Sequence, residues 1–492
     1  MKRSKEIFSQ VGVYAGSTFL TQLITLVAAV ISRNILGPVQ TGIWATLQVI
    51  VDYSKYSTMG IMTAINRDIP YRRAKGEEAH AQELKNLAFS FVLASSVLVA
   101  LGIAAFAFFA RHHYQKEIVW GLFLIAAVVV LQRINNVLIS LLRAFKQFTV
   151  EASQMFLSAI VNAFLVAILT YFFRIYGFIF AMALSLLFNV VYLLAKHPFN
   201  FHWFFDLRKL KPLLATGFPL MTLGLLLGVI RSLDRIFIAK YLGFREVGLY
   251  SIALMACSFI SNFSISFAIV LFPHGQEKFA LAGEVHGAAD YLKKSSAAYV
   301  LIMPMLIGAA AFLAPILVVV FLPQFVSSIL ALQMLVLSSF FVALFQPYND
   351  FLITIRRHMV LIPFLGGCAL ASLGLYYWVA HSGWGIVGFS VATCIISFLM
   401  FTVLFFMSNR YVQGVWAPLE FYLKLTACFL YLLIFVFFLI KYFSPPQITA
   451  AGILCQSGFY VIFCFPLLFL LNRKFSILNI LMNKICEGRG PV

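Results

Sequence analysis

The amino-acid sequence predicts an all-α polytopic membrane protein, and three observations carry that prediction. Of 492 residues, 62% are hydrophobic and only 11% charged, too few polar side chains to cover a water-facing surface. Apolar runs of 20 or more residues recur along the whole chain, each long enough to cross ~30 Å of hydrocarbon. The runs are continuous rather than alternating apolar and polar, so they read as helices that satisfy their own backbone groups and not as strands of a closed barrel.

The runs fall near residues 11–35, 41–66, 85–110, 118–142, 150–173, 176–195, 213–240, 247–272, 296–321, 326–354, 359–380, 385–408, 419–440 and 448–471, which makes fourteen transmembrane helices. Lys2, Arg3 and Lys5 precede the first. That run, from about Val11 to Ile35, exceeds the ~7–15 residues of a signal-peptide core and reads as a retained first span. The seven cysteines are odd in number, form no CxxC and, apart from Cys486, lie in apolar runs. Disulfides and metal sites are therefore not expected. Histidines keep away from the span centres, so no buried metal, haem or other cofactor is expected either.

The connections sort by charge. Segments on the side of the N-terminus hold 25 Lys and Arg, whereas the opposite side holds seven: Arg33, Arg111, Lys116, Arg174, Lys240, Arg245 and Lys441. By the positive-inside rule both termini are cytoplasmic. The net charge of +19 is then mostly topology, and a nucleic-acid partner is not needed to explain it. All six tryptophans (Trp44, Trp120, Trp203, Trp378, Trp384, Trp416) lie at or near span ends, as interfacial anchors do.

A repeat organises the spans. LGPVQTGIW (Leu36 to Trp44) follows span 1, and LGFREVGLY (Leu242 to Tyr250) repeats its pattern of Leu-Gly, four residues, Gly, one residue, aromatic after span 7, at a spacing of 206. Leu84-Lys85 and Leu292-Lys293 match at 208, and Asn136 and Arg143 match Asn349 and Arg356 at 213. The glycines read plainly as helix ends and starts: Gly37 and Gly243 close one helix, Gly42 and Gly248 open the next. Six spans is an even number, so the two halves enter from the same side as parallel repeats, with a cleft between two similar bundles. The layout expected is 1–198 for spans 1 to 6, 199–212 as an interfacial cytoplasmic linker, 213–410 for spans 7 to 12, 411–472 for an extra helix pair and 473–492 as a basic cytoplasmic tail. The linker FNFHWFFDLRKLK sets Phe201, Trp203, Phe204 and Phe205 against Arg208, Lys209 and Lys211, as an interfacial segment does.

With two six-span repeats plus a pair, and with SLDRIFIAKYLGFREVGLYSIA (Ser232 to Ala253) and VISRNILGPVQTGIWATLQVI (Val30 to Ile50), the chain resembles the polysaccharide transporter branch of the multidrug, oligosaccharidyl-lipid and polysaccharide exporter superfamily. The resemblance covers essentially the whole chain. It is carried most specifically by Asp234-Arg235 followed by Leu242-Gly243 and Val247-Gly248-Leu249-Tyr250. It implies a V-shaped pair of lobes working by alternating access, and a flippase of the bacterial cytoplasmic (inner) membrane for a polyprenyl-pyrophosphate-linked oligosaccharide such as an O-antigen or capsule unit. Membrane lipids and a polysaccharide polymerase or assembly protein are then its partners, and the working unit is taken as a monomer.

Candidate site residues come from charges at membrane depth, where an ionised side chain costs ~2.5–3.5 kcal/mol and usually faces a cavity or a partner. Asp52 and Lys55 lie in span 2, Asp52 about 15 Å below the outer turn. Arg133 lies in span 4. Arg231, Asp234 and Arg235 in span 7 have the i, i+3, i+4 spacing of a single helix face, and Asp350 sits shallower in span 10. One reading is structural: Asp52 pairs with Lys55, and Asp234 with Arg231 or Arg235. Yet Lys55, Arg133, Arg231 and Arg235 outnumber Asp52 and Asp234, leaving two cations uncompensated, and an unpaired buried charge is far costlier than a paired one. An anion is expected to enter, and pyrophosphate oxygens suit guanidinium groups. The substrate-binding set is therefore Arg133, Arg231, Arg235 and Lys55, lining a cavity between the lobes. Asp52, Asp234 and Asp350 are candidates for structural pairing or for a coupling H⁺ or Na⁺.

Two other classes fit less well. A MATE-type multidrug or cation antiporter wants an acidic cleft and needs no extra helix pair. A polytopic glycosyltransferase or O-antigen polymerase needs acidic or His-bearing outer loops, and the outer loops here are short.

Overall fold

The computed structural model describes residues 2–145, 147–197, 199–262, 285–355, 357–412, 418–443 and 458, and among them every regular element is helical. Helix α1 (Lys2–Ser54) has 53 residues, ~80 Å at 1.5 Å per residue, too long for one crossing. It breaks at Gly37, whose φ of 70° and ψ of 176° suit a residue without Cβ. Pro38 then restarts the helix at the one position where its missing N–H costs nothing. Helix α5 (Phe148–Lys196) breaks at Arg174, with φ 53° and ψ −131°, a backbone that few non-glycine residues adopt. The Arg174 guanidinium donates to the carbonyl of Ile35 beside the Gly37 turn, so the two breaks are tied together.

The remaining helices are α2 (Ile61–Ala74), α3 (Glu78–Phe109), α4 (Lys116–Ala144), α6 (Leu207–Tyr241), α7 (Phe244–Asn262), α8 (Val285–Phe321), α9 (Ile329–Thr354), α10 (Leu361–Ser382), α11 (Gly385–Asn409) and α12 (Leu419–Phe443). Among the described residues, ten helices are long and apolar enough to cross a membrane, or eleven with the bent α6. The breaks in α1 and α5 fall between pairs of the expected runs; the eighth run is described only as far as Asn262, only residue 458 of the last run, 448–471, is described, and the tail 473–492 lies outside the described residues. One run departs from expectation. The second does not continue as helix to residue 66: α1 stops at Ser54, a 3₁₀ turn covers Lys55–Thr58, and α2 begins at Ile61.

The chain packs as two compact units, Met1–Ala239 with Gly243–Gly248, and Lys240–Leu242 with Leu249–Val492. Helix α6 thus packs with the first unit, although the sequence repeat begins the second half at 213. In the first unit α1 packs on α5 and α4, and α3 on α4 and α2. One core gathers Leu36, Ile43, Leu47, Leu122, Val128 and Ile179, and another gathers Ile61, Ile65, Leu84, Leu87, Leu141 and Leu213. In the second unit α9 packs on α8 and α11, and its core is aromatic: Phe341 meets Phe429 at a centroid distance of 4.3 Å, and Tyr348 meets Phe405 at 5.2 Å. Large apolar side chains such as Leu98, Phe164 and Phe172 stay exposed, which a lipid solvent permits and water does not.

The segment 199–206 lies along α3. Phe201 stacks on Phe89 at 4.0 Å, Lys85 donates to the Asn200 carbonyl at 2.7 Å, and Lys209 pairs with Glu83 at 2.6 Å. Trp203 and Phe205 remain exposed beside Arg208 and Lys211.

Candidate functional site

The break in the second run is built into the sequence. Met59 has φ 48° and Gly60 φ 78°, so the chain passes through the left-handed region twice, once at a residue that tolerates it freely. Gly60 also has no room for a side chain: a Cβ there would lie 2.2 Å from the Gly217 carbonyl oxygen, and a Cβ on Gly217 would lie 2.3 Å from that of Gly60. Helix α6 bends by 51° between Leu207–Ala215 and Gly217–Tyr241, two residues before Pro219, whose ring removes a helical donor. Two broken helices therefore touch backbone to backbone at their breaks.

From that crossing the second part of α1 and α6 run antiparallel. The Tyr56 hydroxyl donates to the Gly224 carbonyl at 2.6 Å, and Gly228 leaves space for the same hydroxyl, which a Cβ would approach to 2.4 Å. The Tyr53 hydroxyl lies 2.7 Å from Ser232 Oγ. One turn further, Asp52 Oδ2 stands 3.8 Å from Arg235 Nη2, and Gln48 Nε2 donates to Asp52 Oδ1 at 3.1 Å. These contacts fix the height at which the charged side chains meet.

Lys55 lies within electrostatic reach of Asp52, Arg231 and Arg133, and Arg133 within reach of Asp52. Lys55, Arg133 and Arg235 thus lie near the Asp52 carboxylate, with Arg231 within reach of Lys55. Asp52 pairs with Arg235 rather than with its neighbour Lys55. Lys55, on the 3₁₀ turn, is exposed and sits over the Tyr56 ring at 5.0 Å. Arg133 is 5% exposed; its Nη2 donates to Gln132 Oε1 at 3.0 Å. The Nε atoms of Arg133 and Arg235 are buried without a partner. Among the described residues neither Arg133, Arg231 nor Lys55 makes an ion pair with a carboxylate.

The face shared by Arg231, Asp234 and Arg235 divides on folding. Arg231 is exposed, while Asp234 is 2% exposed and its Oδ1 accepts the Arg235 backbone N–H at 2.7 Å. Asp350 belongs to the second unit, where its Oδ1 accepts from Gln346 Nε2 at 2.8 Å and Asn349 Nδ2 at 3.4 Å. No group of three or more His, Cys, Asp or Glu side chains is assembled for a metal among the described residues.

Sequence reasoning missed three neighbours of the cluster. Gln48 and Tyr56 stand four residues before and after Asp52, and that i, i+4, i+8 spacing was the available signal, whereas Tyr53, next to Asp52, carried none. Arg33 lies within α1 before the Gly37 break and lines a crevice inside the first unit.

A family model described as "Polysaccharide biosynthesis protein" matches residues 7–275. Curated protein sequences give no match. Among solved structures, the chain is similar to a multidrug resistance MATE family transporter of the MOP superfamily in an inward-facing conformation, with TM-score 0.65, 15% identity, and 83% of this chain and 95% of that one covered. It is similar to the lipid II flippase MurJ in an inward closed conformation, with TM-score 0.64, 14% identity, and 96% of this chain and 99% of that one covered. A MOP superfamily transporter from Pyrococcus furiosus, described as having a binding pocket of reverse polarity, matches with TM-score 0.51 and 16% identity over 85% of this chain and 93% of that one. At such identities the likeness is one of fold.

Proposed function

We propose that this chain, which belongs to the polysaccharide biosynthesis protein family of the MOP superfamily, is a flippase that carries a polyprenyl-pyrophosphate-linked oligosaccharide from the cytoplasmic to the outer face of the bacterial inner membrane by alternating access. The family and the structures that share its fold are transporters and flippases, not enzymes. The observation that carries the substrate class is the set of Lys55, Arg133 and Arg231, which have no carboxylate partner among the described residues, near the Asp52–Arg235 pair. A pyrophosphate supplies the missing negative charge. Exposed Arg231 and Lys55 receive it, Arg133 offers a buried unpartnered Nε, and Arg235, held by Asp52, exchanges one oxygen partner for another. Guanidinium groups present paired N–H donors that match phosphate oxygens.

Fourteen spans in two parallel six-span repeats with an extra pair, both termini cytoplasmic, belong to the same proposal, supported by the charge asymmetry of the connections and by the matching motifs at spacings of 206 to 213. The reading as an exporter of cationic drugs, which the first of these structural likenesses raises, is disfavoured because the charges left without partners here are positive.

The test is deletion of the gene in its host with analysis of lipid-linked intermediates. Accumulation of the glycan-bearing lipid on the cytoplasmic face, reversed by the wild-type gene, supports flipping. An unchanged intermediate pool overturns it.

A further inference from the structure

A crevice of about 330 Å³ lies inside the first unit, between the first part of α1 and both parts of α5. Its walls include Arg33, Thr21, Asn162, Ser185, Asn189 and Phe178, none of which belongs to the Asp52–Arg235 cluster. Arg33 lies four residues before the Gly37 break, ~6 Å along the helix, and Thr21 lies ~18 Å further on at 1.5 Å per residue. The guanidinium spends one donor on the Ala29 carbonyl, at 3.2 Å. Its Nε is buried with no partner, and among the described residues Arg33 makes no ion pair. Asn189 is 8% exposed, and its Oδ1 and the Thr21 hydroxyl are likewise buried without partners.

A cation left alone beside an apolar wall at membrane depth is costly, and the crevice is far larger than one ion, with room for roughly ten waters at ~30 Å³ each. We infer that the crevice is a binding site for a phosphate-class anion, seated on Arg33 and separate from the cations around Asp52. The unpartnered Asn189 oxygen asks for a donor, so the occupant carries a hydroxyl as well as a charge. Hydrogen phosphate has both, and so does the headgroup of a glycerol-headed lipid, whose phosphodiester supplies the charge and whose glycerol supplies the hydroxyls. The inference does not rest on the proposed flippase activity.

The experiment uses the full-length protein, purified in a neutral detergent and in nanodiscs of phosphatidylcholine with or without phosphatidylglycerol. Melting temperature is followed against inorganic phosphate, with sodium chloride holding ionic strength constant. Binding at 100 times Kd raises Tm by on the order of 3 °C. Arg33→Gln abolishes the rise, and Ser185→Leu, which fills the crevice and leaves Arg33 in place, abolishes it too. The double variant Arg231→Gln/Arg235→Gln keeps it. A rise with inorganic phosphate in detergent assigns the free anion; a rise found only in phosphatidylglycerol nanodiscs and lost in the crevice variants assigns the headgroup. If Arg33→Gln does not fold, Ser185→Leu decides. A rise that survives Ser185→Leu, one that disappears in the Arg231→Gln/Arg235→Gln variant, or no rise in any medium overturns the proposal.

Discussion

Replacing Arg231 separates a binding role from a structural one, because the geometry gives the two roles different magnitudes. Arg231 is exposed and makes no ion pair among the described residues. Removing it therefore costs the fold at most ~0.5 kcal/mol, the range of surface substitutions. A hydrogen bond to a charged group contributes ~1.5–3 kcal/mol, so the loss of one charged contact to pyrophosphate weakens binding roughly 10- to 150-fold. Arg231→Ala is thus expected in the membrane at nearly wild-type level while binding of a radiolabelled polyprenyl pyrophosphate to the reconstituted protein falls by at least tenfold. Arg231→Lys gives an intermediate loss, since it keeps the charge without the two-pronged fit. The competing role makes Arg231 the counter-charge of Asp234. In that case Arg231→Ala lowers abundance, and adding Asp234→Asn restores both abundance and export. Full restoration in the double variant, or an Arg231→Ala protein that binds within threefold of wild type, refutes the reasoning.

Asp52→Asn removes the partner of Arg235 but breaks an ion pair that is already loose, at 3.8 Å with the carboxylate 45% exposed; the melting temperature should move little while the affinity for pyrophosphate rises, and weaker pyrophosphate binding would contradict the placement of Asp52. Gly60→Ala sets a Cβ against the Gly217 carbonyl and holds a non-glycine residue at positive φ, at a cost of at least ~1–2 kcal/mol from the backbone alone; thermal unfolding of the purified variant measures it, and an unchanged Tm would mean that the two breaks do not touch. Single cysteines in a cysteine-free background at positions 39 and 245 should react with an impermeant reagent from outside and those at 75 and 209 should not; the reverse pattern inverts the proposed orientation.

Hydropathy made the fold class legible because a span is a sum over some twenty residues, and single misplacements do not change the sum. The Gly37 and Gly243 turns were legible for a different reason: both glycines adopt positive φ, 70° and 93°, and a repeated Leu-Gly is a local signal for a local conformation. The gathering of Lys55, Arg133, Arg231 and Arg235 was legible from the cost of charge in lipid, which needs no coordinates. Their pairing was not. Sequence spacing reports neighbours three or four residues apart on one helix, so Asp52 looked to Lys55, whereas its partner Arg235 is 183 positions away. The break at Met59–Gly60 was hidden because a glycine inside an apolar run is tolerated in many helices, and only the approach of Gly217 from another helix decides that this one breaks.

The repeated motif that opened the question of the two halves acquires a physical role from the contact its members make. A Cβ on Gly42 would fall 1.6 Å from the Phe244 carbonyl oxygen, and a Cβ on Gly248 would fall 1.8 Å from that of Pro38. The spacing of 206 that relates Gly42 to Gly248 also relates Pro38 to Phe244. Within the first unit, then, each copy of the motif is the other's partner, in a contact that is the same read from either side. A self-complementary contact imposes its requirement twice. If one copy of the motif needs a residue without a side chain to let a neighbouring backbone carbonyl approach, the other needs it at the matching position. Reading Gly42 and Gly248 as helix starts alone does not account for this, since serine or aspartate opens a helix as well as glycine does. Bare backbone at both positions is what allows the start of the second part of α1, the helix that carries Asp52, to lie against the start of α7.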